Sequence, residues 1–369
     1  MTLKKIALIE NSSSDFYFSR MNLSHFLVKK GLEVVAVVPD DGYANEISQE
    51  IKTIKVGTSI KGESIWNKIV FLTDLYKILR KENFDLIHCF RLQPNIIGGF
   101  ISGFLMRTKN ISHVTGLGYP FTFNSLKFRI LQKIISCFFR FNEKNANTFF
   151  IFQNEYDPID VKIKNYKVIK GSSVNENIFK PKKNIRSKKK TELKLLFVSR
   201  LLNSKGLNIV IEAIQRLNND SHDIKLDVLG STDYDNPDSI SITKLEQWGK
   251  MPYITFHGKV SNVVDFIHNA DICVLPTSYR EGTPRFLLEA MACAKPIITT
   301  NTPGCSHCVT NDNGFLLETN NEVESLIKLI VNLNKESLEK MGKRSRILYE
   351  NEFCEKKVFE QVYSVYSEL

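Results

Sequence analysis

Short runs of Val, Ile, Leu and Phe recur along the chain, separated by longer stretches in which apolar residues return every three or four positions. The short runs do not alternate with polar residues, which is the pattern of strands buried on both faces. The longer stretches read as helices packed against them. In the first half, strands are expected at Ile6–Ile9, Val34–Val38, Leu86–Phe90, Ile111–Thr115, Phe149–Phe152 and Val168–Ile169, with helices such as Arg20–Lys30 and Ile65–Lys81 between them. In the second half they are expected at Leu195–Val198, Leu226–Leu229, Ile254–Phe256, Ile272–Leu275, Ile297–Thr299 and Phe315–Leu317. This alternation, met twice, predicts an α/β protein of two doubly wound parallel-sheet domains.

Residues 181–191, PKKNIRSKKKT, carry six basic residues and no apolar cluster, and read as a solvated linker. The expected organisation is a first domain over 1–181, a linker over 182–191, a second domain over 192–350, and a closing helical segment over 351–369 that packs back toward the first domain. Open α/β sheets bind ligands outside the carboxyl ends of their strands. The chemistry is therefore sought in the loops that follow strands, facing a cleft between the domains.

Composition narrows the classes. A chain of 369 residues with 43% hydrophobic and 24% charged residues is ordinary for a two-domain globular protein. The formal charge of +10 suggests an anionic partner. No helix-turn-helix, zinc module or aromatic RNP strand is present, so nucleic acid is not the expected partner. The seven cysteines are odd in number and read as reduced, core-filling thiols. Cys305-Ser306-His307-Cys308 looks like half a zinc site, but no second ligand pair follows at suitable spacing, so no metal site is expected. No apolar run reaches the roughly 18–20 residues that cross a bilayer, and the run after Lys4 and Lys5 is too short for a signal-peptide core. A cytoplasmic location is expected. A dinucleotide dehydrogenase is disfavoured because no G-x-G-x-x-G follows the first strand.

Two stretches of the second half carry candidate chemistry. In FVSRLLNSKGLNIVIEAI, Phe197 to Ile214, a strand ends at Ser199, and Arg200 and Lys205 precede a helix opening at Gly206. Cations beside free helix N–H groups suit a diphosphate, although no Walker sequence occurs. In SYREGTPRFLLEAMACAKPII, Glu281 and Glu289 stand eight residues apart around a Gly282-Thr283-Pro284 turn, with Thr283 expected as a cap and Pro284 in the first helical turn. Glu289 is surrounded by Phe286, Leu287, Leu288, Ala290, Met291 and Ala292, and a carboxylate in such company needs a partner. Carboxylates also accept well from sugar hydroxyls.

The spacing and surroundings of these residues resemble the retaining glycosyltransferases of the GT-B fold, in particular the large fourth family of nucleotide-sugar transferases. Glu281 to Glu289 fits its E-x7-E signature, EGTPRFLLEAMACAKPII fits the sequence around it, and Arg200 with Lys205-Gly206 fits its R-L-x-x-x-K-G element. Further matches are GSSVNENIFKP, FHGKVSNVVDFIHNADICVLPTSYREG and NTPGC; Ser173, Asn175, His257 and Ala294 depart from the family pattern. In the first half, NSSSDFYFSRMNLSHFLVKKGLEVVAVVPD, FDLIHCFRLQPNIIGG and HVTGLGYPF resemble the subset that acts on polyprenyl-diphosphate-linked sugars in bacterial O-antigens, capsules or protein-linked glycans.

The resemblance implies two Rossmann-like domains and a metal-independent transfer that uses a UDP-sugar as co-substrate and no cofactor. It implies that Arg200 and Lys205 hold the donor diphosphate, that Glu289 holds the ribose, and that Glu281 with the Gly282-Thr283 backbone positions the sugar. It places Pro284, Gly206, Gly230 and His257 on the donor side. Ser13, Ser14, Arg20, Gly116, Leu117 and Gly118, in loops after the first and fourth expected strands, are the acceptor candidates, and Phe90-Arg91, after the third, joins them by position. Many relatives carry a histidine near the acceptor; here the loop reads Thr115-Gly116-Leu117-Gly118 with His113 before it, and no catalytic histidine is assigned.

Two features stand apart. Asp233-Tyr234-Asp235 has the form of a metal-holding pair but lies in a turn-rich polar run and reads as a surface loop. SLKFRILQKIISCFFRF, Ser125 to Phe141, mixes four basic residues with aromatic and aliphatic ones at helical spacing. It is expected to lie on the cytoplasmic face of the inner membrane, where a lipid-linked acceptor would be met. The competing readings are a sugar-nucleotide epimerase on the same scaffold and a non-catalytic protein that binds anions or nucleic acid.

Overall fold

The computed structural model describes residues 3–57, 65–106, 108–182, 192–233 and 236–369. The chain divides into two compact units, Met1–Ser173 with Glu355–Leu369, and Val174–Cys354. The sequence reading drew the boundary at Pro181. Val174 and Phe179 are instead buried in the core of the second unit, which carries the chain from Val174 onward. Of the expected linker, residues 183–191 lie outside the described residues.

The first unit holds a seven-stranded, wholly parallel sheet built from β1 (Lys5–Ile9), β2 (Glu33–Pro39), β3 (Thr53–Val56), β4 (Leu86–Phe90), β5 (Lys109–Val114), β6 (Thr148–Phe152) and β7 (Tyr166–Val168). Their order is β3-β2-β1-β4-β5-β6-β7. Strand alternation divides β1 between two core clusters. Ile6 and Leu8 of β1 pack into one cluster, and Ala7 and Ile9 into the other. The first of these clusters is completed by Val358, Phe359, Val362, Val365 and Tyr366 of the helix Glu355–Glu368, so the last helix is core to this unit.

A buried polar chain crosses the same cluster. The Tyr366 hydroxyl lies 2.6 Å from His88 Nδ1, and His88 Nε2 lies 3.2 Å from His113 Nδ1. Burial pushes both imidazoles well below their ordinary value, with His113 and then Arg20 adding to the effect at His88, and Arg20 at His113.

The second unit holds a six-stranded parallel sheet of β8 (Leu193–Val198), β9 (Ile224–Leu229), β10 (Ile254–Gly258), β11 (Ile272–Leu275), β12 (Ile297–Thr300) and β13 (Gly314–Leu317). Their order is β10-β9-β8-β11-β12-β13. In each sheet the direction of winding reverses once, between β1 and β4 and between β8 and β11, and such reversals open crevices at the strands' carboxyl ends.

The expected strands are all present. β3 was not expected: its sequence, Thr53-Ile54-Lys55-Val56, has only two apolar residues, as suits a sheet edge. The first helix spans Ser13–Lys29 and so begins well before Arg20, because the polar Ser13 and Ser14 lie within its first turn rather than in a loop.

Helix Arg285–Ala292 ends in a Schellman turn, with Lys295 N–H donating to Ala290 O at 2.9 Å and Ala294 N–H to Met291 O at 3.0 Å. Ala294 occupies the left-handed position of this turn at φ 57°, which a side chain disfavours. Ala294→Gly is expected to stabilise the second unit by about 1 kcal/mol, read as a raised midpoint in urea unfolding. An unchanged or lowered midpoint would show that this turn is not strained.

Candidate active site

In the second unit the loops after β8 and β11 come together at the reversal of strand order. After β8, Ser199 and Arg200 lead to a 3-10 turn, Asn203–Lys205, and Gly206 caps helix Leu207–Asn219 at φ +79°. After β11 the chain loops through Glu281 and Pro284 into helix Arg285–Ala292. The loops are stitched by Ser278 N–H donating to Ser204 O at 2.8 Å and by the Thr277 hydroxyl donating to the same oxygen at 3.2 Å. Gly230, after β9, sits at φ +132°, where a Cβ would stand 1.7 Å from Ser199 O. Only glycine lets the β9 loop approach the β8 loop so closely.

These loops enclose a cavity of about 240 Å³. Its floor is Val198, Leu275 and Phe286, and its polar wall is Arg200, Lys205, Glu281, Arg285 and Glu289, with Pro284 beside them. Five of the expected donor-side residues thus face one space. Lys205 Nζ is ion-paired to Glu281 Oε1 and lies 4.8 Å from the centre of the Tyr279 ring. Arg200 is half-exposed, paired to Asp233 Oδ2 at 2.9 Å, with its guanidinium carbon 5.8 Å from the same ring. Of the Asp-x-Asp sequence, Tyr234 and Asp235 lie outside the described residues.

Glu289 is buried, and Arg285 donates to its Oε1 at 2.7 Å from one helical turn earlier. Burial pushes the Glu289 carboxyl above its ordinary value, and the Arg285 charge and hydrogen bond pull it back. The acid that demanded a partner has one. The i, i+4 spacing of Arg285 and Glu289 was the signal that would have found it.

Thr283 does not cap the helix. Pro284 is the N-cap and lends no side-chain cap, and the Thr283 hydroxyl lies 2.9 Å from His307 Nε2 instead. Gly206, Gly230, Gly282, Thr283 and His257 are not among the residues lining the cavity. His257, at the end of β10, bonds through Nε2 to Asp227 Oδ1 at 2.8 Å and packs edge-on to Phe266.

In the first unit the reversal point is occupied by a buried carboxylate, Glu10, directly after β1. Arg20 Nε lies 3.3 Å from Glu10 Oε2, and Arg91 Nε lies 3.1 Å from Glu10 Oε1. Arg91 also reaches Asp15 at 2.9 Å. Burial raises the Glu10 carboxyl against the pull of Arg91 and Arg20. Arg20 is itself 4% exposed, donates to Ser172 Oγ at 2.9 Å and stacks 4.0 Å from the Phe90 ring centre. Arg91, after β4, is the more exposed of the two cations. Its backbone, at φ 69° and ψ 169°, lies in a region that glycine normally occupies.

The other acceptor candidates are placed as follows. Ser13 is buried, donating to Asp41 O and accepting from Tyr43 N–H at 2.9 Å. Ser14 shares a hydrogen bond with Ser12 at 2.9 Å. Gly116 and Gly118 have positive φ, and Gly118 caps the short helix Tyr119–Thr122. The Leu117 side chain is fully buried in a core cluster with Val114, Phe139 and Phe152, which leaves it no surface to offer a ligand. Glu10 was not foreseen as a site residue, since a lone acid after a strand carries no spacing signal.

Comparison with known proteins agrees with this architecture. Residues 5–154 match the family model described as Glycosyl transferase 4-like, and residues 179–348 match that described as Glycosyl transferases group 1. The chain is 26% identical over 354 residues to the N,N'-diacetylbacillosaminyl-diphospho-undecaprenol alpha-1,3-N-acetylgalactosaminyltransferase of Campylobacter jejuni, covering 90% of both chains. It is 22% identical to the UDP-Gal:alpha-D-GlcNAc-diphosphoundecaprenol alpha-1,3-galactosyltransferase of Escherichia coli, over 95% of this chain and 93% of that one. Its fold matches that of Anabaena HepE in complex with UDP and glucose with a TM-score of 0.78 at 17% identity, covering 99% of this chain and 100% of that one. The chain carries the domains of these two glycosyltransferase family models, one in each half, and its two parallel-sheet units are those of the GT-B fold.

The Glu289–Arg285 pair predicts a pH signature. A carboxyl whose folded value lies above its unfolded one contributes fully below the unfolded value and loses that contribution as pH rises through the folded value. Arg285→Ala removes the groups that pull Glu289 down. The variant is expected to lose about 1–3 kcal/mol of stability at pH 8 and clearly less at pH 5, measured by urea unfolding at both pH values. An equal loss at both would show that the guanidinium acts by packing alone.

Proposed function

We propose that this glycosyltransferase moves a hexose or N-acetylhexosamine from a UDP-sugar to a polyprenyl-diphosphate-linked acceptor in bacterial surface glycan assembly, with retention and without a metal. The observation that carries the reading is the cavity at the ends of β8 and β11, where three cations and two carboxylates line one space beside an apolar floor. The named activities of the Campylobacter jejuni and Escherichia coli relatives support the acceptor class. The UDP and glucose held by the Anabaena protein support the donor class.

On this reading Arg200 and Lys205 take the donor diphosphate in place of Asp233 and Glu281, their partners in the structure. As the bond from the anomeric carbon to the diphosphate breaks, negative charge gathers on the leaving oxygens, where these two cations stabilise it. The acceptor hydroxyl forms the new bond on the same face of the sugar and gives its proton to the departing phosphate. Glu281, released from Lys205, accepts from sugar hydroxyls, and Glu289 accepts from the ribose. No protein nucleophile is needed.

The reading also places the chain on the cytoplasmic face of the inner membrane. Among the described residues no helix is long and apolar enough to cross a bilayer. Helix Leu126–Glu143 instead carries two apolar faces. Ile135 and Phe139 turn into the core, while Leu126, Ile130, Ile134 and Phe138 are exposed on the other side. Arg129, Lys133 and Arg140 run exposed along the edge of that outer arc, an arrangement suited to anionic headgroups.

Two measurements test the reading. Calorimetric titration without added metal is expected to show UDP binding in preference to GDP. Arg200→Ala and Glu289→Ala should each weaken it by about 1.5–3 kcal/mol, the cost of hydrogen bonds to a charged group. Failure to bind either nucleotide would sink the donor assignment. Flotation with vesicles is expected to carry the protein on anionic but not zwitterionic lipid, with Ile130→Glu and Phe138→Glu abolishing the effect. Equal recovery of wild type and variants would remove the membrane from the account.

A further inference from the structure

The turn after β12 has no role in the reading above, yet it lies directly against the loop that carries Glu281. Gly304, at φ +83°, stands so close that a Cβ there would be 1.8 Å from Gly282 O and 2.6 Å from Glu281 O. The turn is held from several sides. The Thr300 hydroxyl donates to Thr277 O, the Thr302 hydroxyl donates to the same oxygen at 3.2 Å, and Asn313 Nδ2 donates to Cys308 O at 2.9 Å. From it His307 reaches forward, placing Nε2 2.9 Å from the Thr283 hydroxyl, with its ring stacked on the buried Phe353. Thr283 lies between Glu281 and Pro284, both of which line the cavity, but does not line it itself.

We propose that His307 is a positioning residue for the donor sugar: through its hydrogen bond to Thr283 it fixes the Gly282–Thr283 backbone, and with it the Glu281 carboxylate, against the hydroxyls of a bound sugar nucleotide. The inference rests on the donor-site reading and deepens it. The physical argument is one of added restraint: the Lys205–Glu281 ion pair and the close packing of Gly304 hold one end of the segment, and its own residues add little beyond them. Gly282 has no side chain to restrain it, Thr283 gives no cap to the helix that follows, and Pro284 has no N–H to donate. The His307–Thr283 bond pins the middle of this segment to a turn that is itself immobilised. Aromatic stacking on Phe353 holds the imidazole plane, so the bond is offered at a fixed height and angle.

The role predicts a division between nucleotide and sugar. Arg200, Lys205 and Glu289 lie outside the pinned segment, so UDP affinity is expected to stay within twofold of wild type in His307→Ala, whereas kcat/KM for the UDP-sugar falls 10- to 100-fold, mostly through kcat. His307→Gln, whose amide nitrogen reaches where Nε2 stands, should recover most of that loss. Thr283→Val should match His307→Ala, and the double variant should be no worse than either single one. Hydrogen exchange reports the same bond without any substrate: the amides of Gly282 and Thr283 are expected to exchange at least 10-fold faster in His307→Ala.

UDP binding by the wild type tests the donor reading by itself, and the variants are compared with it. Unchanged exchange at Gly282 and Thr283 in His307→Ala would overturn the proposal. So would a loss of UDP affinity in step with turnover, or multiplying effects in the double variant.

Discussion

Everything in the second unit depends on the parting of β8 and β11. These strands are neighbours in the sheet, but their outgoing chains wind to opposite sides, so their carboxyl ends leave a gap that no helix fills. The loop with Arg200 and Lys205 enters it from one strand, and the loop with Glu281 enters from the other. The Ser278–Ser204 backbone bond closes the two into a single rim. The first unit obeys the same constraint between β1 and β4, and Glu10, Arg20 and Arg91 meet there. Topology therefore chooses the location of both polar clusters before any individual side chain acts.

Electrostatics then decides what those clusters do. In the second unit each of the cavity's three cations is ion-paired, Lys205 and Arg285 to the lining carboxylates Glu281 and Glu289 and Arg200 to Asp233 beside it. A carboxylate placed alone in such an apolar wall would be driven to take up a proton. Pairing offsets that cost while leaving the partner at the more open contacts exchangeable, because exposed ionic contacts are worth little net free energy. The first unit differs. Glu10 is fully enclosed and shares two arginines, and one of these, Arg20, is itself buried and bonded to Ser172. Arg91 is the more exposed edge of that arrangement.

The strands were legible because central parallel strands show unbroken apolar runs, and β11, Ile272–Leu275, matches its expected bounds. β3 escaped because an edge strand needs only one good face. On the candidate site, Glu281, Glu289, Arg200 and Lys205 were legible because their spacing places them after strands or within one helix. Three features were not. Thr283 has the residue type of a helix cap, but its hydroxyl is engaged by His307, a residue distant in sequence, and local propensity holds no information about such a partner. His307 drew notice only for its neighbouring cysteines, yet Cys305 and Cys308 are both buried in the core. Leu117 read as a loop residue because glycines flank it, whereas those glycines bend the chain so that the leucine turns inward.

The helix Glu355–Glu368 has a consequence for the order in which the molecule is made. Its Phe359, Val362, Val365 and Tyr366 complete a core whose other members include Ile6, Leu8 and Phe16, and Tyr366 supplies the hydroxyl that meets His88. The second unit, Val174–Cys354, is continuous in the chain and is synthesised before that helix exists. During translation the later half can therefore close its core first. The earlier half must wait, with one core cluster packed by its early helices but still incomplete, until residues 355–368 have left the ribosome.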